Sequence, residues 1–548
     1  MLLSRLILTC LVHAGESLKV MVHMGLGTNS HIKPLLEVGA ILRNRNHSVF
    51  YAAFDSNKKF NKPYQLPFIS LGKDDNSVFN QRALMKHQYS KRDSQDPSKV
   101  MTRFFGKIAP VIYDNTYPEI FKVMEEERFD VVLCDFIATA CRDAAQMLAI
   151  PLVTGFQATD YPGVTSSPFI TSNLVYGSIT TQDLNFFQRF QRKLLAPLIN
   201  QYRHYPMTKA TNLIRAKYGV PPTSAYGDFS TSLGLSSSFI GFEASMLFPL
   251  NIKMIGPIKS TSHPPLTPHL TQFLQNHPKT LYIAFGSIVI LADFDIENVV
   301  IGCLRALAEG SIDGVLWGLG STMEEDFPER FTFNGSQITR DMLFSGELPN
   351  IQLLPWAPQN AILEHENTKL FISHGGLESS FEAIISGTPI LCMPFLGDQP
   401  RNARKLEDAG VGKYINRANA TPETVFDAIK HVMDDVTGSF SSNTQRMRTI
   451  AQYGSRRKDS GADAVEEYAY TAQACRPLHP YKFGEIPCEL QHLALASRSM
   501  PYIQANLIDV YTAAFLLAVS TLFTFVYTSR WIFSKLTSSQ NDHKKKDQ

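Results

Sequence analysis

Between Asn350 and Arg404 the chain reads as a short apolar strand (Thr368–Ser373), a glycine turn (His374, Gly375, Gly376), a helix (Leu377–Ser386) and a second apolar strand (Pro389–Pro394). A strand that feeds a helix through glycine presents backbone N–H groups and the positive end of the helix dipole to an anion. This order therefore predicts a parallel α/β sheet with a phosphate site at the carboxyl end of one strand. Few other folds accommodate it.

The rest of the chain repeats the alternation. Leu18–His23 is an apolar strand, 24–34 a turn, Leu35–Asn44 a helix by its apolar spacing and His47–Phe54 the next strand, which makes a right-handed βαβ unit. The Gly25-x-Gly27 pair lacks the third glycine of a dinucleotide fingerprint, so a nicotinamide oxidoreductase is disfavoured. Residues 63–118 are polar and irregular, and the charged patch around Lys86–Lys99 reads as a solvated surface or a mobile loop. Phe129–Asp135 is a buried strand ending in an acid, followed by a helix (Thr139–Leu148) and a strand (Pro151–Gly155). The aromatic and proline-rich stretch from Tyr161 to Met207 reads either as the lining of an apolar cavity or as core packing. Leu233–Phe239 and Met254–Pro257 close this half.

The prolines and serines of KSTSHPPLTP mark a linker. Beyond it Thr280–Phe285, Gly314–Gly318 and Ile351–Pro355 alternate with helices up to the opening stretch. A chain of 548 residues, 44% hydrophobic, supports two cores of ordinary size. The expected fold is α/β, two Rossmann-like doubly wound parallel-sheet domains (15–258 and 271–455) joined by a linker (259–270). Helices and a juxtamembrane segment (456–508, with a long polar helix over Asn443–Ala474), one transmembrane helix (509–533) and a basic tail (534–548) follow. The piece 477–509 is open to packing either on the protein or on a membrane surface.

Composition removes several function classes. A net charge of +2 gives no reason to expect nucleic acid. Seven scattered cysteines without a CxxC pair suggest neither a disulfide framework nor zinc. Cys134, Cys141, Cys303 and Cys392 sit among apolar neighbours and read as small core residues, whereas Cys475 and Cys488 are the pair placed for a local disulfide. Arg5, the apolar run Leu6–Val12 and a small residue at Ala14 read as a secretory signal peptide over 1–14. Near the other end Val510–Tyr527 is uncharged and long enough to span a bilayer, with aromatics continuing to Phe533. Arg530, Lys535 and Lys544–Lys546 follow it, which places the tail in the cytosol and the bulk of a single-pass type I protein in the lumen. The terminal Lys545-Lys546-Asp547-Gln548 resembles a retrieval signal for the endoplasmic reticulum, a basic stop-transfer flank being the alternative. Asn46, Asn334 and Asn419 head glycosylation sequons, the third weakened by Pro422 close behind it.

Two constellations carry chemistry. His31 follows the first strand and Asp135 ends a later strand of the same sheet, so both fall on one sheet edge. A histidine held by a carboxylate keeps one tautomer and gains basicity, which suits removal of a hydroxyl proton. The alternative is that His31 caps a helix and Asp135 binds loop amides. In the second half Ser287 and the amides from Gly375 to Ser379 are placed for a pyrophosphate without a lysine, Trp356 for a base, and Glu382 for the two hydroxyls of a ribose.

These residues also carry a resemblance that covers nearly the whole chain. WAPQ at 356–359, HGGLESSFEA at 374–383 and PILCMPFLGDQP at 389–400, with FGS at 285–287, SHIKP at 30–34 and FDVVLCD at 129–135, make the sequence similar to membrane-anchored UDP-glycosyltransferases of the GT-B fold. The resemblance implies that Trp356 stacks on uracil, that Gln359 helps hold the nucleoside and that His374, Gly375, Gly376 and the amides near Ser379 bind phosphate. It further implies that Glu382 binds ribose, that Asp398 and Gln399 bind sugar hydroxyls, and that His31 is a base oriented by Asp135. It implies inversion at the anomeric carbon, with no metal and no cofactor beyond the UDP-sugar co-substrate. The acceptor would be an apolar small molecule or lipid, and a homo-oligomer stays open. Many relatives carry asparagine where this chain has Glu378. That carboxylate would either repel the diphosphate or turn away and cap the helix. A binding protein without catalysis is the second reading.

Overall fold

The structure is a computed structural model, and it describes residues 17–25, 29–73, 97–159, 180–224, 229–246, 248–259, 263–494 and 500–546. The expected signal peptide, Gly27, 161–179, the middle of the linker and the last two residues lie outside the described residues.

Two wholly parallel sheets form the frame. The first has β1 (Lys19–His23), β2 (Ser48–Ala53), β3 (Phe68–Ser70), β4 (Val131–Asp135), β5 (Leu152–Phe156), β6 (Leu233–Ser236) and β7 (Ile252–Met254) in the order β3-β2-β1-β4-β5-β6-β7. The second comprises β8 (Thr280–Ala284), β9 (Gly314–Gly318), β12 (Ile351–Leu354), β13 (Thr368–Ser373), β14 (Ile390–Cys392) and β15 (Gly412–Tyr414) in the order β12-β9-β8-β13-β14-β15. A hairpin of β10 (Arg330–Phe333) and β11 (Ser336–Thr339) stands apart. Central strands such as VVLCD and TLYIA are buried at every residue, as expected where helices cover both faces. In each sheet the strand order reverses once, between β1 and β4 and between β8 and β13. Crevices open at such points.

The helix after β1 runs over Asn29–Asn44 and so starts before the expected Leu35. A proline near the start removes only one helical hydrogen bond, and burial of Ile32, Leu35, Leu36 and Val38 outweighs Pro34. His31 and Lys33 consequently stand on helix rather than in a loop. Part of the stretch that reads as irregular is also helix. Pro97–Glu127 contains Pro110 and Pro118 and buries Tyr113, Tyr117, Ile120 and Met124, spaced four, three and four residues apart on one face. Tyr113 donates to Asp143, which also binds the buried Arg215 at 2.7 Å.

The two sheets share a packed boundary. Phe381, on the Leu377–Ser386 helix, meets Phe239 and Phe242 edge-on, with ring centroids 5.6 and 5.1 Å apart. Beside them Lys405 Nζ lies 2.6 Å from Glu243 Oε2, both side chains only 1% exposed. The expected polar helix over Asn443–Ala474 is two helices, Ser439–Gly454 and Lys458–Cys475, split by a 3-10 turn. Gly454, just before the turn, lets the chain pack close to the first domain, since a β-carbon there would fall 2.9 Å from the Gly256 carbonyl. After it the chain returns to the first domain, where Glu466 binds Arg45 at 2.6 Å and His47 at 2.8 Å, and Lys458 binds Glu37 at 2.9 Å.

Three expectations need correction or completion. Cys134 and Cys141 are as buried as predicted but form a disulfide that joins the end of β4 to the next helix; Cys303 and Cys392 remain buried thiols. Within Tyr161–Met207 the structure describes the helices Phe186–Phe190 and Ala196–Lys217, with a π-helical turn between them and Met207 buried. Phe186, Phe187, Phe190, Leu194 and Leu198 face solvent. The first part of the segment after Cys475 is tied to protein: Cys475 bonds to Cys488, Arg476 to the buried Glu489 and the Tyr481 hydroxyl to Gln146.

Residues 493–548 form a second unit. Its helix Ile508–Lys546 includes an apolar stretch over Ile508–Lys535, about 40 Å long at 1.5 Å per residue, enough to cross a bilayer. Thr521, Thr524 and Thr528 return their hydroxyls to carbonyls four residues back at 2.8 Å, which satisfies their polar groups within the helix.

Candidate active site

The first reversal point holds the histidine pair. His31 Nδ1 lies 3.1 Å from both oxygens of Asp135, which ends β4 and is fully buried. Asp135 also accepts from Gln157 Nε2 at 2.9 Å and from the Ile137 amide at 3.1 Å, so it binds a loop amide and orients the histidine together. Phe136 stacks on the imidazole at 5.7 Å. With Nδ1–H donated to the carboxylate, Nε2 is left to take a proton. Burial alone would lower the His31 pKa, but the charge and hydrogen bond of Asp135, aided by Asp398 and Glu378, raise it above the usual value. Those last two residues belong to the second domain and face His31 across the crevice.

The second reversal point holds the glycine turn. His374 follows β13 with its ring between Gly286 and Gly376, where a β-carbon would fall within 2.8 and 2.4 Å of ring atoms. Burial depresses its pKa to about 4, so the ring is neutral near pH 7. Ser287 follows β8 and is exposed, its carbonyl accepting from Ser321 Oγ at 2.5 Å. Trp356, after β12, is 66% exposed and offers an open ring face. Gln359 Nε2 reaches Glu382 Oε2 at 2.6 Å and Ser379 Oγ at 3.2 Å, while Asn360 Nδ2 holds the other Glu382 oxygen at 2.9 Å. Burial raises the Glu382 pKa, opposed by the charge of Lys33 and by these two amides.

The loop after β14 is tied to the same turn. Asn402 Nδ2 donates to Asp398 at 2.7 Å and to the Gly375 carbonyl at 3.0 Å. Gln399 places its side-chain oxygen on the Phe395 and Leu396 amides at 2.9 and 3.0 Å, so that atom holds the loop. Glu378 pairs with a residue that neither sequence expectation connected to it. Its Oε1 lies 2.6 Å from Lys33 Nζ, across the crevice.

Sequence reasoning missed Lys33, Gln157, Asn360 and Asn402. Lys33 lies within SHIKP and Asn360 directly follows WAPQ, so adjacency marks these two; Gln157 and Asn402 carry no comparable signal.

A carboxylate-held histidine and a glycine turn thus stand at the reversal points of two parallel sheets. Residues 46–452 match the family model described as UDP-glucoronosyl and UDP-glucosyl transferase. The chain belongs to this family. Its activity is transfer of a sugar from a UDP-sugar. A UDP-glycosyltransferase, stmC, of Aspergillus ustus is 28% identical, covering 94% of this chain and 97% of that one. A UDP-glycosyltransferase of Talaromyces amestolkiae is 29% identical, over 90% and 94%. Among solved structures, the glycotransferase of kitacinnamycin (TM-score 0.56, 19% identical, 82% of this chain and 99% of that one) and a Polygonum tinctorium UDP-glucosyltransferase (0.55, 17%, 83% and 100%) share the fold. That fold is GT-B.

Proposed function

We propose that this transferase moves a hexose, glucose foremost, from UDP-sugar to a hydroxyl of an apolar small molecule or lipid, with inversion and with His31 as general base. The observation that carries it is His31 Nδ1 at 3.1 Å from both Asp135 oxygens. In this reading His31 Nε2 takes the acceptor proton, the freed oxygen bonds to C1, and the bond from C1 to the diphosphate breaks. The amides of Gly375–Ser379, with Ser287 and neutral His374 beside them, meet the charge that grows on the departing UDP, and no metal is called on. Trp356 stacks on uracil and Gln359 steadies the nucleoside. Glu382 accepts the ribose hydroxyls through lone pairs that Gln359 and Asn360 leave open. Asp398 and the amide nitrogen of Gln399 hold the sugar.

An apolar acceptor is supported by the exposed Phe186, Phe187, Phe190, Leu194 and Leu198, interleaved with Arg189, Arg192 and Lys193. Such a surface suits work against lipid. The apolar Ile508–Lys535 stretch, with basic residues beyond it, supports a single-pass protein of the endoplasmic reticulum membrane with lumenal, glycosylated domains.

Membranes containing the protein, incubated with radiolabelled UDP-sugars and a panel of apolar hydroxyl compounds, test the reading: a labelled product and free UDP support it, and UDP-sugar binding without UDP release sinks it. A pH profile tests the base. Because Asp135 raises the His31 pKa, kcat/KM should climb with pH to an inflection above 6.5 as His31 loses its proton. Asp135→Asn removes that charge and should move the inflection to lower pH while lowering the plateau. An unmoved inflection would assign it to another group.

A further inference from the structure

Glu378 stands at the second position of the helix whose N-terminus is to bind a diphosphate. A carboxylate there repels that ligand unless a cation accompanies it. The cation comes from the other domain. Lys33 Nζ lies 2.6 Å from Glu378 and 3.6 Å from Glu382, with the lysine 7% exposed and Glu378 25%. Burial would lower the Lys33 pKa, but Glu378, Glu382 and Glu37 outweigh it and raise it. Lys33 is therefore an ammonium throughout the working range. It lies two residues beyond His31 on the Asn29–Asn44 helix, so one stretch of helix carries the base and the clamp on the donor helix.

Resting on the UDP-sugar reading above, we propose that Lys33 is a donor-positioning residue supplied by the first domain: its ammonium cancels the charge of Glu378 beside the phosphate turn. Donor affinity then depends on a residue beside the catalytic base, and the two halves of the site assemble together. A merely structural ion pair would affect melting and leave nucleotide affinity alone.

The test is a double-mutant cycle on the full chain in lipid nanodiscs, with UDP affinity by calorimetry, donor KM and kcat separately, and thermal melting. Lys33→Met should weaken UDP binding by about tenfold or more, equivalent to about 1.4 kcal/mol, and raise donor KM more than it lowers kcat. Glu378→Gln should bind UDP at least as well as the native chain. The double variant should recover to within about threefold of native, because no unpaired carboxylate then faces the diphosphate. Unchanged UDP affinity in Lys33→Met, or a double variant as weak as Lys33→Met, overturns the inference while leaving the donor reading intact. A native chain that does not bind UDP removes that reading and the inference with it. Where Lys33→Met does not fold, the double variant decides alone: near-native affinity supports the proposal and a tenfold loss refutes it.

Discussion

Alanine at position 31 is expected to lower kcat by about 10²–10⁴-fold, the range for losing a positioned general base, and to leave UDP affinity close to native. The separation follows from placement. His31 stands at the reversal point of the first sheet against Asp135, whereas the glycine turn and Glu382 stand at that of the second. Loss of the imidazole removes the proton acceptor and leaves the phosphate amides and the bonds of Gln359 and Asn360 to Glu382 untouched. Single-turnover rates at saturating acceptor, alongside calorimetry with UDP, measure both quantities. An equal loss in kcat and UDP affinity would show that His31 supports the fold of the crevice instead.

The second large effect is on stability. Lys405 and Glu243 are each 1% exposed and 2.6 Å apart across the domain boundary, and Glu243 also accepts from the Thr159 amide at 3.3 Å. Removing one member of a buried pair strands the other charge in a poorly solvated place, at a cost of about 3–5 kcal/mol. Glu243→Ala should therefore lower the unfolding midpoint markedly. It should also weaken donor use, because Lys405 rides on the Gln399–Asp408 helix, which begins at the sugar loop. Replacing both members with apolar residues of similar volume, Glu243→Leu with Lys405→Met, should restore most of the stability. A Glu243→Ala chain that melts like the native one would show that water reaches this boundary.

Both sheets, the His31–Asp135 pair and the strand–glycine turn–helix were legible in the residues, because parallel strands buried on two faces are apolar runs and tight strand-to-helix turns need glycine. What was missed has local causes in some places. The hairpin β10–β11 turns at Asn334 and Gly335, both with positive φ, the residue pair most favourable to such a turn, although the same residues also open a glycosylation sequon. Pro110 and Pro118 concealed a helix whose tyrosine spacing was regular. Elsewhere no local signal exists. Lys33 and Glu378 are 345 residues apart, and nothing near either names the other, so Glu378 looked like a liability. Cys134 and Cys141 resembled core thiols because a buried disulfide and two buried thiols share the same apolar setting.

The stereochemistry of transfer tests the account most directly. With α-linked UDP-glucose as donor and an accepted hydroxyl compound, magnetic resonance of the product should show a β-glucoside, formed mole for mole with UDP and absent from the His31→Ala chain. An α-linked product, or equal product from the His31→Ala chain, would contradict a single displacement driven by His31 across this crevice.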